Sequence, residues 1–129
     1  MASYVQNSKW PMPESVLRAV GPAIARGAAR LHGADDSQLA ADVRAVPSLT
    51  QRVNAAIEAG EIGGDRPNAA DLQIAPSVRL LLTFEDLRPM IEGSPAAELG
   101  ERLFPMWPGR SPVGTIPAWA LPEGRATAA

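Results

Sequence analysis

The sequence predicts an all-α fold, a small helical bundle that ends in an extended proline-rich tail. Three observations carry this. Apolar residues recur at three- and four-residue spacings over long stretches. No run of β-branched or aromatic residues alternates with polar ones as a strand requires. Prolines and glycines divide the chain into segments of helical length. At 129 residues, 46% of them hydrophobic, the chain has the size of one domain and buries about two-thirds of the surface that its unfolded form exposes.

The first helix is expected from Glu14 to about His32, with Val16, Leu17, Val20, Ile24, Ala28 and Leu31 on one face and Gly33 at its end. Gly21-Pro22 should bend or split it. The second opens at Asp35-Asp36-Ser37, whose short polar side chains can accept from free backbone N–H groups, and closes at Gly60. Its stripe of Leu39, Val43, Val46, Leu49, Val53 and Ile57 runs straight past Pro47, so the proline is expected to kink the helix without ending it.

The third helix, from Ala69 to about Phe84, carries Leu72, Ile74, Val78, Leu80, Leu81 and Leu82 in nearly every direction. A helix apolar all round is expected to be the buried central one. Two shorter helices follow, Glu85 to Ile91 and Pro95 to Phe104, on either side of Gly93. Residues 105–129 then hold five of the thirteen prolines, which marks a tail. The expected organisation is a leader over 1–12, a helical domain over 13–104, and a tail over 105–129 that packs on the domain with its last residues disordered.

Composition excludes several functions. With no cysteine there is no disulfide, thiolate zinc site, iron–sulfur cluster or catalytic thiol. A net charge of -2, with eleven scattered arginines and Lys9 as the single lysine, supplies no basic face for a phosphate backbone, so no nucleic-acid partner is expected. No apolar run approaches the roughly 20 residues that span a bilayer, and the opening MASYVQNSKWPM is not a secretory signal. No membrane association is expected, and the expected location is the cytoplasm.

Candidate chemistry is sparse, and neither a metal site nor a catalytic residue is expected. His32, the single histidine, lacks the partners of a metal site and reads as a helix C-terminal cap. Asp35-Asp36 reads as capping rather than as an acid and base pair. Gly60 to Gly64 has neither a phosphate-loop lysine nor a preceding strand and reads as a tight turn. Trp107 and Trp119 sit among prolines, a pattern suited to docking SH3-like partners but used more often to cover the chain's own core. Trp10 is placed either to line a pocket or to anchor the leader.

The strongest local signal is structural. In Pro67-Asn68-Ala69-Ala70-Asp71-Leu72, Asn68 stands as the N-cap and Asp71 as the third helical residue, a capping box. Pro67 and Leu72 occupy the positions of a hydrophobic staple.

The run EAGEIGGDRPNAADLQIAPSVRLLL resembles the C-terminal helical domain of glutathione S-transferases, in which a glycine turn precedes a capping box and the central buried helix. The likeness continues through FEDLRPMIEGSPAAEL and PMWPGRSPVGTIPAW, as in bacterial members of that family, and covers residues 10 to 122 or so. It implies a helical bundle of the glutathione S-transferase C-terminal type, part of or derived from an enzyme that conjugates glutathione to electrophiles. In the family the thiol-activating residue and most glutathione contacts belong to a thioredoxin-like domain, which this sequence lacks. The leader then reads as the remnant of a preceding helix or linker.

By the same resemblance this chain should bind no cofactor alone, glutathione being the family's co-substrate, and should be inactive alone. Its partner would be the missing thioredoxin-like domain, another protein or a second copy in a homodimer. Only Asn68 and Asp71 carry over from the family's pattern, in a folding role. Trp10, Met12, Met106 and Trp107 are candidates for an apolar second-substrate lining. The alternative function is a docking module of the same fold.

Overall fold

The computed structural model describes residues 14–31, 33–106 and 109–122. Four α-helices account for most of them: α1 (Glu14–Leu31), α2 (Asp36–Glu58), α3 (Ala69–Leu81) and α4 (Pro95–Leu103). Short 3₁₀ turns cover Arg88–Met90 and Ala118–Ala120. The one β feature among the described residues is an isolated parallel bridge between Phe84 and Ser111. The fold is all-α.

Local chemistry sets most helix ends. At the end of α1, the Gly33 N–H donates to the Arg30 carbonyl (3.3 Å) and the Ala34 N–H to the Ala29 carbonyl (2.8 Å), a Schellman closure. It needs the positive φ of 64° that Gly33 adopts. One residue on, the Asp35 carboxylate accepts from the Gln38 N–H at 2.8 Å and from the Ser37 hydroxyl at 2.7 Å, which opens α2. These bonds hold the Asp35 carboxyl below the usual aspartate value, the Gln38 N–H contributing most. α2 closes on a second Schellman pattern, Gly60 N–H to Ile57 O and Glu61 N–H to Ala56 O.

The core forms where α2, α3 and α4 meet. Val46, Val78, Leu82, Ile91, Ala96 and Ala97 make one buried cluster, and Ile62, Ala75 and Leu99 a second beneath the 60–64 turn. α3 and α4 approach closely at Gly100, where a Cβ would lie 3.3 Å from the Ala75 carbonyl oxygen and 3.4 Å from the Arg79 nitrogen. Both neighbours are backbone and yield little. Gly100→Ala is therefore expected to cost about 1 kcal/mol, since crowding outweighs the gain in helix propensity; a denaturant melt reads this as an earlier midpoint.

A third cluster binds the tail into the core: Ala40, Val43 and Leu87 pack against Ile116 and Ala120. The tail contributes Ile116 and Ala120 to this cluster, with Trp119 half exposed. Residues 123–129, expected to be disordered, and the leader over 1–12 lie outside the described residues.

Several boundaries and one larger expectation change. Pro22 and Pro47 lie inside continuous helices; Pro22 does not split α1. α3 stops at Leu81 rather than near Phe84, because Thr83 and Phe84 turn back with N–H bonds to Leu80 and Leu81. Ser111 then takes up the Thr83 carbonyl and the Glu85 N–H, at 2.8 and 3.0 Å. The helix expected over Glu85 to Ile91 reduces to the Arg88–Met90 turn. The central helix is not buried all round: Leu72 and Leu80 of α3 are exposed, and within it only Asp71, Ala75 and Val78 are buried. The physical reason is that no described element covers those two side chains.

Candidate functional site

Two features stand out, a polar clamp at the start of α3 and an apolar groove between α2 and α3. The clamp begins with Asn68 in extended conformation. Its side-chain oxygen accepts from the N–H groups of Ala70 (2.8 Å) and Asp71 (3.1 Å), and the Asp71 carboxylate accepts from the Asn68 N–H at 2.8 Å. The box is present in both directions.

The clamp reaches further than the box. The other Asp71 oxygen accepts from the Gly63 N–H at 2.7 Å, and the Asn68 side-chain amide donates to the Glu61 carbonyl at 2.9 Å. From the opposite side Arg102 of α4 donates to the Gly63 carbonyl at 2.7 Å. Gly63 has a φ of 82° and lies against Ile57, so the turn is held by a carboxylate, an amide and a guanidinium at once. The carboxyl of Asp71 sits below the usual aspartate value, chiefly because of the Asn68 N–H, then that of Gly63, with Arg102 adding a smaller attraction. Pro67 and Leu72 hold the staple positions at the surface, Leu72 being 57% exposed.

The groove is lined by Val46, Leu49 and Val53 of α2 and by Ile74, Val78 and Leu81 of α3, with Thr50, Gln73 and Ser77 as its polar members. Its volume is about 380 Å³, and it opens to solvent. Such a surface binds apolar groups or another helix. It holds no acid, base or nucleophile pair that would activate a bound molecule.

The sequence candidates for an apolar lining are Trp10, Met12, Met106 and Trp107. Met106 is 89% exposed and away from the groove, whereas Trp10, Met12 and Trp107 lie outside the described residues, as does His32. Asp35 is engaged as the cap of α2, and Gly60 to Gly64 form a turn. Among the described residues no group of three His, Cys, Asp or Glu side chains is placed to hold a metal, and no helix is long and apolar enough to cross a membrane.

Three structural anchors escaped the sequence reading. Asp86 accepts from the tail N–H groups of Gly114 and Ile116, both at 2.9 Å. Glu85 accepts from Arg110 at 2.7 Å and lies 3.5 Å from Arg88; the Arg110 bond is the main cause that holds its carboxyl below the usual glutamate value. Asn54, near the C-terminal end of α2, accepts from the Ala96 N–H at 2.9 Å and so satisfies the start of α4. Apart from the i,i+3 pair of Glu85 and Arg88, these contacts join residues about 25 to 42 positions apart, beyond the reach of local pattern.

No family model, no curated protein and no solved structure matches the chain.

Proposed function

We propose that this chain is a helical domain of the glutathione S-transferase C-terminal type, part of or derived from a protein that conjugates glutathione to electrophilic small molecules. Alone, it has no transferase activity. The observation that supports this reading is the clamp at the start of α3. Glycine turn, capping box and helix follow one another in the order that the resemblance implies, and Asp71 bonds to both the turn and the box. Thiol activation requires a donor beside the sulfur that favours the thiolate, and in the family that donor belongs to the thioredoxin-like domain. Incubation of the purified chain with glutathione and chlorodinitrobenzene is expected to give only the uncatalysed rate; turnover above it would overturn the assignment of inactivity.

The exposed apolar groove favours a second reading, in which the domain serves as a docking platform. Its lining is apolar apart from Thr50, Gln73 and Ser77, which suits an apolar side chain of a partner.

A further inference from the structure

The tail occupies a seat that the helical core can form without it. Of the three buried clusters, the two at the meeting of α2, α3 and α4 contain no residue from 109 to 122. Within that segment Ile116 and Ala120 are buried, whereas residues 112–115 are exposed throughout. A segment anchored by two side chains and a few surface hydrogen bonds is of the kind that opens locally while the core stays closed.

The contacts that hold it are those by which proteins recognise an extended peptide. The Thr83 carbonyl accepts from the Ser111 N–H and the Glu85 N–H donates to the Ser111 carbonyl, a single step of strand addition. Glu85 takes the Arg110 guanidinium at 2.7 Å, and Asp86 takes the N–H groups of Gly114 and Ile116. Gly114 has a φ of 83°, which favours glycine, and this turn delivers the Ile116 side chain to Ala40, Val43 and Leu87. Each part of the seat reads a different property. Glu85 reads a cation, Asp86 a backbone shape, and the socket an apolar side chain two residues after the glycine.

What stays behind when the segment lifts is complementary to it. Two adjacent carboxylates stand beside an apolar socket, next to the carbonyl of Thr83, a residue only 3% exposed. A buried acceptor without a partner is costly, so the vacated seat favours a new occupant of the same pattern.

We propose that this seat is a binding site for an extended peptide in which arginine is followed four residues on by glycine and six on by isoleucine, and that residues 109–122 are its resident, autoinhibitory occupant. A partner protein binds by inserting such a segment in place of the tail. The site uses α2 at Ala40 and Val43, whereas the groove is lined along α2 from Val46 onward. It therefore stands whether or not the groove docks a partner. Tethering gives the resident an effective concentration on the order of millimolar, which excludes a free peptide at micromolar levels.

The test opens the seat by altering the occupant alone. A fluorescent synthetic peptide of residues 109–122 is titrated into three full-length chains: unsubstituted, Ile116→Asp, which spoils the apolar anchor, and Gly114→Pro, which removes an N–H held by Asp86. Both substituted chains are expected to keep their helical circular dichroism and to bind the peptide at least about tenfold more tightly than the unsubstituted chain. Adding Asp86→Ala to the Ile116→Asp chain, or placing Ile116→Asp in the peptide, weakens that binding about tenfold or more. Three results overturn the proposal. Equal binding to the unsubstituted chain places the peptide elsewhere. No binding to either substituted chain shows that the seat accepts the tail only as part of the fold. Loss of helical signal in both shows that tail and core fold as one unit.

Discussion

Replacing Asp71 with alanine lowers the melting temperature by about 10 °C, the largest single-site loss expected in this chain. The carboxylate is the one acceptor for the N–H groups of both Gly63 and Asn68, at a residue with 1% of its surface exposed. Alanine leaves both donors without a partner and frees the turn that carries Ile62 into the cluster with Ala75 and Leu99. Asn68→Ala removes the forward half of the box and the bond to Glu61, from an exposed residue, and should cost about 1 kcal/mol. A loss at Asp71 no larger than that at Asn68 would show that the link to Gly63 contributes nothing.

The same carboxylate gives the acid limb of stability a definite sign. Its pKa in the folded chain is below the unfolded value, so its contribution is complete above the usual aspartate value and disappears as pH falls through the lowered one. Asp35 and Glu85 are shifted in the same direction and act over the same range. Melting temperature measured from neutral pH downward should stay level until the ordinary carboxylate range and then fall. In Asp71→Asn that fall is shallower, because one of the three groups no longer titrates.

Asp86→Ala releases the tail. Its two oxygens hold the N–H groups of Gly114 and Ile116, and Ile116 with Ala120 completes the cluster over Ala40, Val43 and Leu87. Losing both bonds should cost about 1–3 kcal/mol. The exposed backbone makes the effect local first: hydrogen exchange at Ile116 and proteolytic cutting within residues 109–122 should both accelerate, while amides of α3 keep their protection. Equal acceleration in α3 and the tail would show that the tail and the helical core open as one unit.

What was legible in the sequence lay within a few residues of itself. The Asp35 cap, the Gly33 and Gly60 closures and the Asn68–Asp71 box are patterns three to five residues long, set by the hydrogen-bonding demands of helix ends. The stripe of α2 was equally readable, and Val43 and Val46 are buried as its period requires. The partnerships of Asp86, Glu85, Asn54 and Arg102 were not, since each depends on which distant backbone group arrives beside it. α3 shows the limit most clearly: its composition reads as a helix surrounded by apolar neighbours, yet Leu72 and Leu80 face solvent, because composition records what a helix can bury and not what is present to cover it.

The sequence by itself determined an all-α chain, the caps that open α2 and α3 and close α1 and α2, and the absence of any cysteine chemistry. These follow from side-chain type, backbone φ preference and a period of 3.6 residues, all local properties. Only the tertiary structure decided that Ile116 and Ala120 are the tail residues that join the core, that Asp71 ties a turn as well as a helix end, and that Val16, Val20, Ile24 and Leu31 of α1 are exposed. Those outcomes depend on burial, which is shared among segments far apart in the chain and is settled only when they meet.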